Sequence, residues 1–302
     1  MKWLFICVWL VSILFFYFRG KIKLTFSKIF IDHSVILAPL NALLILCSEK
    51  KFRSGPFISK EHFSNMELIT ENWRVFRDEA CRLGEQAQIK KTERNNDVGF
   101  NSFFKYGWKR FYLKWYDFEH PSALDSCPRS VAMLKKVKCI RAAMFAELPP
   151  KGKLNPHRDP FAGSLRYHLG LSTPNSEKCY IDVDGQRYWW KDGESMIFDE
   201  TFVHEARNDT EKTRLILFCD IARPQKNHHL QSIAEWISVK VMSAAVSPNT
   251  AADKTGFMNR LSTIYWMYDI NRKKLKAWSK NVYLITKWML LLAVVFCFIF
   301  YL

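Results

Sequence analysis

The sequence predicts a mainly β domain, an antiparallel sandwich or jelly roll, flanked by helices and bounded by apolar ends. Three observations carry this. From Lys138 onward the apolar residues recur with period two. Seven short candidate strands then follow without a long helix between them: Lys138–Leu148, Leu165–Leu171, Lys178–Val183, Gln186–Lys191, Ser195–Phe198, Val203–Asn208 and Thr213–Ile221. The pairs Asp184-Gly185 and Asp192-Gly193 mark tight turns, the first a two-residue hairpin.

Taken in order, Trp3 to Phe18 is sixteen residues without charge, followed by the cationic run Arg19-Gly20-Lys21-Ile22-Lys23. At about 1.5 Å per residue the run barely crosses roughly 30 Å of hydrocarbon. A signal peptide is the alternative, but no small-x-small cleavage site follows, and the basic flank reads as stop-transfer. A transmembrane helix over residues 1–18 is therefore expected. Residues 19–60 form a basic juxtamembrane segment. Within it Val35–Cys47 is too short to span and carries Pro39 and Asn41, which suits an interfacial or re-entrant piece.

Glu67–Gln88 places Trp73, Phe76, Ala80, Leu83 and Ala87 at helical spacing, so one amphipathic helix opens the soluble domain, residues 61–225. Residues 226–282 read as amphipathic and helical. Residues 283–302 form a second expected span, with Lys287 able to snorkel. Arg19, Lys21, Lys23 and Lys28 flank the first span; Arg272, Lys273, Lys274, Lys276, Lys280 and Lys287 flank the second. The positive-inside rule then puts the intervening domain on the cytoplasmic side of a bacterial inner membrane.

The formal charge of +16 favours anionic partners. The basic residues cluster at the apolar flanks and lack an aromatic-basic RNA motif, so an anionic membrane surface is expected and nucleic acid is not. Lys105, Lys109, Arg110, Lys114, Lys151 and Lys153 are candidate contacts for phosphorylated head groups. The eight cysteines contain no C-x-x-C and read as reduced, not as a disulfide framework or zinc site.

Residues 155–160, Asn-Pro-His-Arg-Asp-Pro, contain an H-x-D pattern, and His204 lies 45 positions beyond Asp159. Two imidazoles and a carboxylate cover one face of an octahedral iron(II) and leave three positions for an oxoacid and O₂. In an extended segment His157 and Asp159 point the same way. H-x-D alone is common, and a lone histidine there is as well explained by an exposed loop. The constellation adds weight. Arg214 offers a planar two-donor fork for the distal carboxylate of an oxoacid. Arg166 and His168, again two apart, are candidates for holding its other carboxylate or positioning the metal's open face; a salt bridge or solvated face and a satisfied core histidine are their plainer explanations.

The runs HRDPFAGSLRYHLGL (157–171) and FDETFVHEARNDTEKTRLILFCDIARP (198–224) resemble the aspartyl/asparaginyl β-hydroxylase superfamily. GWKRFYLKWY (107–116) and CPRSVAMLKKV (127–137) extend the resemblance upstream, to roughly residues 95–224. It implies a double-stranded β-helix and an Fe(II)- and 2-oxoglutarate-dependent dioxygenase. His157 and His204 fall on the iron histidines, and Arg166, His168 and Arg214 on the oxoglutarate contacts. The animal peptide hydroxylases carry glycine where this chain has Asp159, so a full triad is expected here. A serine that helps bind oxoglutarate has no counterpart around Ala146–Leu148. The implied substrate is a membrane lipid, lipid A, hydroxylated at the 2 position of a secondary acyl chain. A protein or peptide side chain is the alternative: an apolar groove would favour lipid and a polar one peptide.

Overall fold

The computed structural model describes residues 2–25, 35–92, 95–279, 281–286 and 289. Two helices, α1 (Lys2–Phe18) and α2 (Ala38–Cys47), precede strand β1 (Phe57–Ile58) and helices α3 (Glu67–Glu71) and α4 (Trp73–Glu85). Strands β2 (Lys109–Trp115) and β3 (Phe118–Glu119) lead to α5 (Pro121–Ser126) and α6 (Pro128–Lys136). An unbroken series of strands follows: β4 (Ile140–Leu148), β5 (Lys153–His157), β6 (Ser164–Ser172), β7 (Cys179–Val183), β8 (Gln186–Trp189), β9 (Ser195–Phe198), β10 (His204–Asn208) and β11 (Arg214–Ala222). Helices α7 (His228–Ser243) and α8 (Phe257–Trp278) come last.

The strands form two antiparallel sheets, ordered β1-β9-β6-β11-β4-β2-β3 and β5-β10-β7-β8, the double-sheeted jelly roll that the sequence predicts. Period two explains how the larger sheet serves two cores. Leu165, Tyr167 and Leu169 of β6, with Leu217, Cys219 and Ile221 of β11, face α4 and α6, where Phe76, Ala80, Leu83, Val131 and Leu134 complete one core. The alternate residues face the smaller sheet. Ile216, Met144 and Ala146 there meet Leu154, Ile181, Val183 and Ala206. Arg166, His168, Arg214, Phe218 and Asp220 share that inward phase, and the pairings Arg166↔Asp220 and His168↔Phe218 place them side by side. The Asp184-Gly185 turn has both residues at positive φ, 52° and 80°, as a two-residue hairpin requires.

Several expectations are corrected. The single helix over Glu67–Gln88 is two helices, interrupted where the Asn72 amide donates to the Leu68 carbonyl at 2.8 Å. Strands β2 and β5 escaped the periodicity because β2 is buried on both faces and β5 is short and carries Pro156. Arg110 is not a surface cation; it is buried and pairs with Asp97 at 2.8 Å.

No terminal transmembrane helix is found among the described residues. Helix α1 has seventeen residues, about 26 Å at 1.5 Å each and short of a hydrocarbon core of roughly 30 Å. Among the described residues no helix is long and apolar enough to cross a membrane. Phe16 packs with Ala38, Ala42 and Ile45 of α2 and with Ala162, while Trp3, Leu4, Phe5, Val11 and Phe18 stay exposed. Lys28, Lys287, Cys297 and the expected span 283–302, apart from 283–286 and 289, lie outside the described residues.

The segment after α1 is fastened to the jelly roll. The amides of Lys21 and Ile22 donate to Asp184 Oδ1 at 2.6 and 2.8 Å. The Arg19 guanidinium pairs with buried Asp199, which also holds Arg223 at 2.7 Å.

Candidate metal centre

Strands β5 and β10 are neighbours in the smaller sheet, and their register pairs His157 with His204. The two rings stand 4.3 Å apart, centroid to centroid. Asp159 does not share a strand with His157, as the sequence suggested. It lies in the loop just past β5, where its amide donates to the Glu200 carbonyl at 3.1 Å. That loop still turns the carboxylate back: Asp159 Oδ1 is 3.5 Å from His157 Nε2 and 3.8 Å from His204 Nε2.

Each histidine's Nδ1 faces a backbone carbonyl, that of Asn155 at 2.7 Å and of Phe202 at 3.0 Å. Donation there fixes the tautomer and leaves both Nε2 lone pairs turned toward Asp159, the arrangement typical of metal-binding imidazoles. The three donor atoms lie within 4.8 Å of one another, and no other group of histidine, cysteine and carboxylate among the described residues fits a metal ion.

Electrostatics agree with the geometry. Burial disfavours the charged form of Asp159, but Arg166, His204 and His157 outweigh it and hold the carboxyl down at about 2. Burial, then neighbouring His157, presses His204 down to about 3, so its imidazole is neutral, as a metal ligand must be.

All six expected site residues line one small chamber between the sheets, together with Phe103, Trp108, Trp190, Phe198 and Phe218. They do different things there. Arg166 is engaged by carboxylates: its Nε donates to Glu200 at 2.7 Å, one Nη reaches Asp159 and Glu200, and the other lies 2.9 Å from Asp220. Its guanidinium also lies 3.8 Å from the centre of the Phe218 ring. Ser164 donates to Glu200 at 2.6 Å, and Tyr116 to Asp220 at 3.4 Å. Burial, with Arg166 opposing it, raises the Glu200 carboxyl well above its usual range.

Arg214 is equally buried, yet it has no ion pair among the described residues; its Nε is without a partner and its guanidinium sits 4.4 Å over Trp190. Desolvation lowers it to about 10. His168 is also buried with both ring nitrogens unpartnered, and burial holds it well below its usual value, hence neutral. A buried guanidinium and imidazole left unsatisfied are expensive unless a ligand completes them.

Sequence reading missed Glu200, Asp220 and Trp190. Asp220 was available, since it shares the inward phase of Arg214 and Phe218 on β11; Glu200 sits outside regular strands, and Trp190, inside the expected Gln186–Lys191 strand, lies just past its observed end at Trp189.

Beyond the triad the chamber adjoins a larger groove of about 490 Å³, whose lining also includes Phe100, Phe103, His157, Asp159 and Arg166. Away from this polar end its walls are aliphatic and aromatic, among them Leu24, Ile36, Trp115, Phe161, Met242 and Met258.

A family model described as Aspartyl/Asparaginyl beta-hydroxylase matches residues 70–224. An ornithine lipid ester-linked acyl 2-hydroxylase of Rhizobium tropici is 36% identical over 140 residues, 46% of this chain and 48% of that protein. The aspartyl/asparaginyl beta-hydroxylase of Mus musculus is 28% identical over 168 residues, 53% of this chain and 22% of that protein. The chain thus spans about half the length of the first relative and less of the second. Among solved structures, a Pseudomonas putida prolyl-4-hydroxylase aligns over 60% of this chain and 99% of its own, with 15% identity and a TM-score of 0.40.

Proposed function

The chain belongs to the aspartyl/asparaginyl β-hydroxylase family, and from that premise we propose that it is an Fe(II)- and 2-oxoglutarate-dependent dioxygenase that hydroxylates position 2 of a lipid acyl chain. One observation carries the cosubstrate. Next to a two-histidine, one-carboxylate triad lie a buried arginine and a buried histidine, both without partners. A dicarboxylic oxoacid supplies what both lack: one carboxylate for the Arg214 fork, and acceptor oxygens near His168.

His157, Asp159 and His204 would hold the iron, which when bound with oxoglutarate and O₂ supplies the oxidising power for C–H hydroxylation. The chain's own residues do the rest. Arg166 keeps Asp159 ionised and aimed at the two Nε2 atoms. Phe103, edge-on to His157 at 4.9 Å, and Phe198, 5.3 Å from His204, exclude water beside the ligands.

The apolar groove supports an acyl chain over a peptide. The +16 charge favours a phosphorylated head group, and lipid A is the substrate we propose. The exposed apolar face of α1 would lie in the membrane interface, and the triad would face the cytoplasm, where oxoglutarate is made. Mass spectrometry of lipid A from bacteria with and without the gene tests this. A gain of one oxygen that vanishes with Asp159→Ala is expected. Unchanged lipid, with peptide side chains hydroxylated instead, would overturn the lipid substrate.

A further inference from the structure

The family match stops at residues 70 and 224, yet the groove does not. Leu24, Ile36 and Leu37 line it from the segment before the matched stretch; Met242, Ala245 and Met258 line it from the end of α7 to the start of α8. The matched stretch contributes the polar end at Asp159 and Arg166 and the aromatic residues near it. The division follows the chemistry: the metal end comes from family sequence, and much of the apolar wall comes from this chain's own flanks.

Two further facts fix the direction of an occupant. Ile36 and Met258, both groove residues, are 72% and 44% exposed, so the apolar end opens at the surface. Around that opening Phe257, Leu261 and Ile264 of α8 are exposed as well. Position 2 of an acyl chain is one carbon from its carbonyl. With that carbon at the triad, the ester lies at the polar end and the rest of the chain must run along the apolar wall.

We infer that Leu24, Ile36, Leu37, Met242, Ala245 and Met258 form the apolar wall of the acyl-chain channel and so set which chain lengths react. The inference rests on the acyl-hydroxylase function proposed above. Each methylene that loses its apolar contact weakens the selected transition state, and one methylene in a fitted pocket is worth roughly tenfold or more in selectivity.

The test uses the full chain in phospholipid vesicles carrying a mixture of lipid A analogues whose acyl chains differ only in length. Hydroxylated products are resolved by mass spectrometry. Ala245→Phe narrows the channel from the α7 side, and Ile36→Trp, at an exposed position that folding tolerates, narrows it at the opening. Thermal stabilisation by oxoglutarate shows that each variant keeps its site. Both should lose product from the longest chains by about tenfold relative to the shortest. A wild-type length profile in both active variants would overturn the channel while leaving the function intact. No wild-type product on any chain, with oxoglutarate still consumed, would overturn the acyl-hydroxylase function and the channel with it.

Discussion

The two ends of the chamber hold one arginine each, and the arginines live in opposite conditions. Arg166 is surrounded by Asp159, Glu200 and Asp220; Arg214 lies over a tryptophan with no carboxylate in reach among the described residues. Both are nearly fully buried. The first is completed by the protein and holds the Asp159 carboxylate in place. The second is left incomplete, and the folded chain carries its desolvation cost until a ligand arrives. The family resemblance cast both as oxoglutarate contacts; only the partners separate them.

The strongest way to break this contrast is to remove the metal it serves. Ala in place of His157, Asp159 or His204 should reduce oxoglutarate consumption to background, because each loss deletes one of three ligands. Full turnover in any two of these variants would dismiss the triad.

Next come the arginines themselves, compared as metal-free, oxoglutarate-free protein. Arg166→Met strands buried carboxylates and should destabilise the fold by about 3–5 kcal/mol in urea titration. Arg214→Met removes an unpaired buried charge and should leave the fold at least as stable, while oxoglutarate no longer raises its melting temperature. Equal destabilisation by the two changes would erase the distinction.

A milder probe is Arg214→Lys, which keeps the charge and loses the fork. Oxoglutarate affinity should weaken roughly tenfold to a hundredfold, with iron affinity unchanged. An unaltered oxoglutarate response would make Arg214 structural.

The smallest effect concerns His168. Burial keeps its folded pKa far below the ordinary 6.5, so below that pH the unfolded chain takes up a proton that the folded chain refuses. Stability from this group is full above about pH 6.5 and falls as the solution is made more acid. His168→Asn should therefore lose less stability between about pH 7 and pH 5 than the parent does. Identical acid slopes in calorimetry would show that His168 is not held neutral.

Much of this was legible in advance, for physical reasons that can be located. Strands β6, β9 and β11 were readable because they alternate between two cores, β7 and β10 because they alternate between one core and more exposed positions, and the H-x-D pattern with a distant histidine survives any loop geometry. What stayed hidden depended on partners distant in sequence. Nothing near Arg166 announces Asp220, 54 positions away, and nothing near Arg110 announces that Asp97 will bury it. Length decided the fate of the N-terminal span. Sixteen apolar residues and a basic flank read as a crossing, with a signal peptide as the alternative, and the structure shows a helix lying partly on α2 and Ala162.

The fastening of Arg19, Lys21 and Ile22 to Asp199 and Asp184 also imposes a schedule on biosynthesis. These contacts join residues 162 to 180 positions apart, so the receiving strands are still unmade when the first helix leaves the ribosome. Domains fold as units once their last strands are available, and such long-range pairings close late. For that interval the apolar helix has only α2 to rest on, without Ala162 and the jelly roll. The membrane interface proposed above for this helix would be open to it before its own jelly roll is.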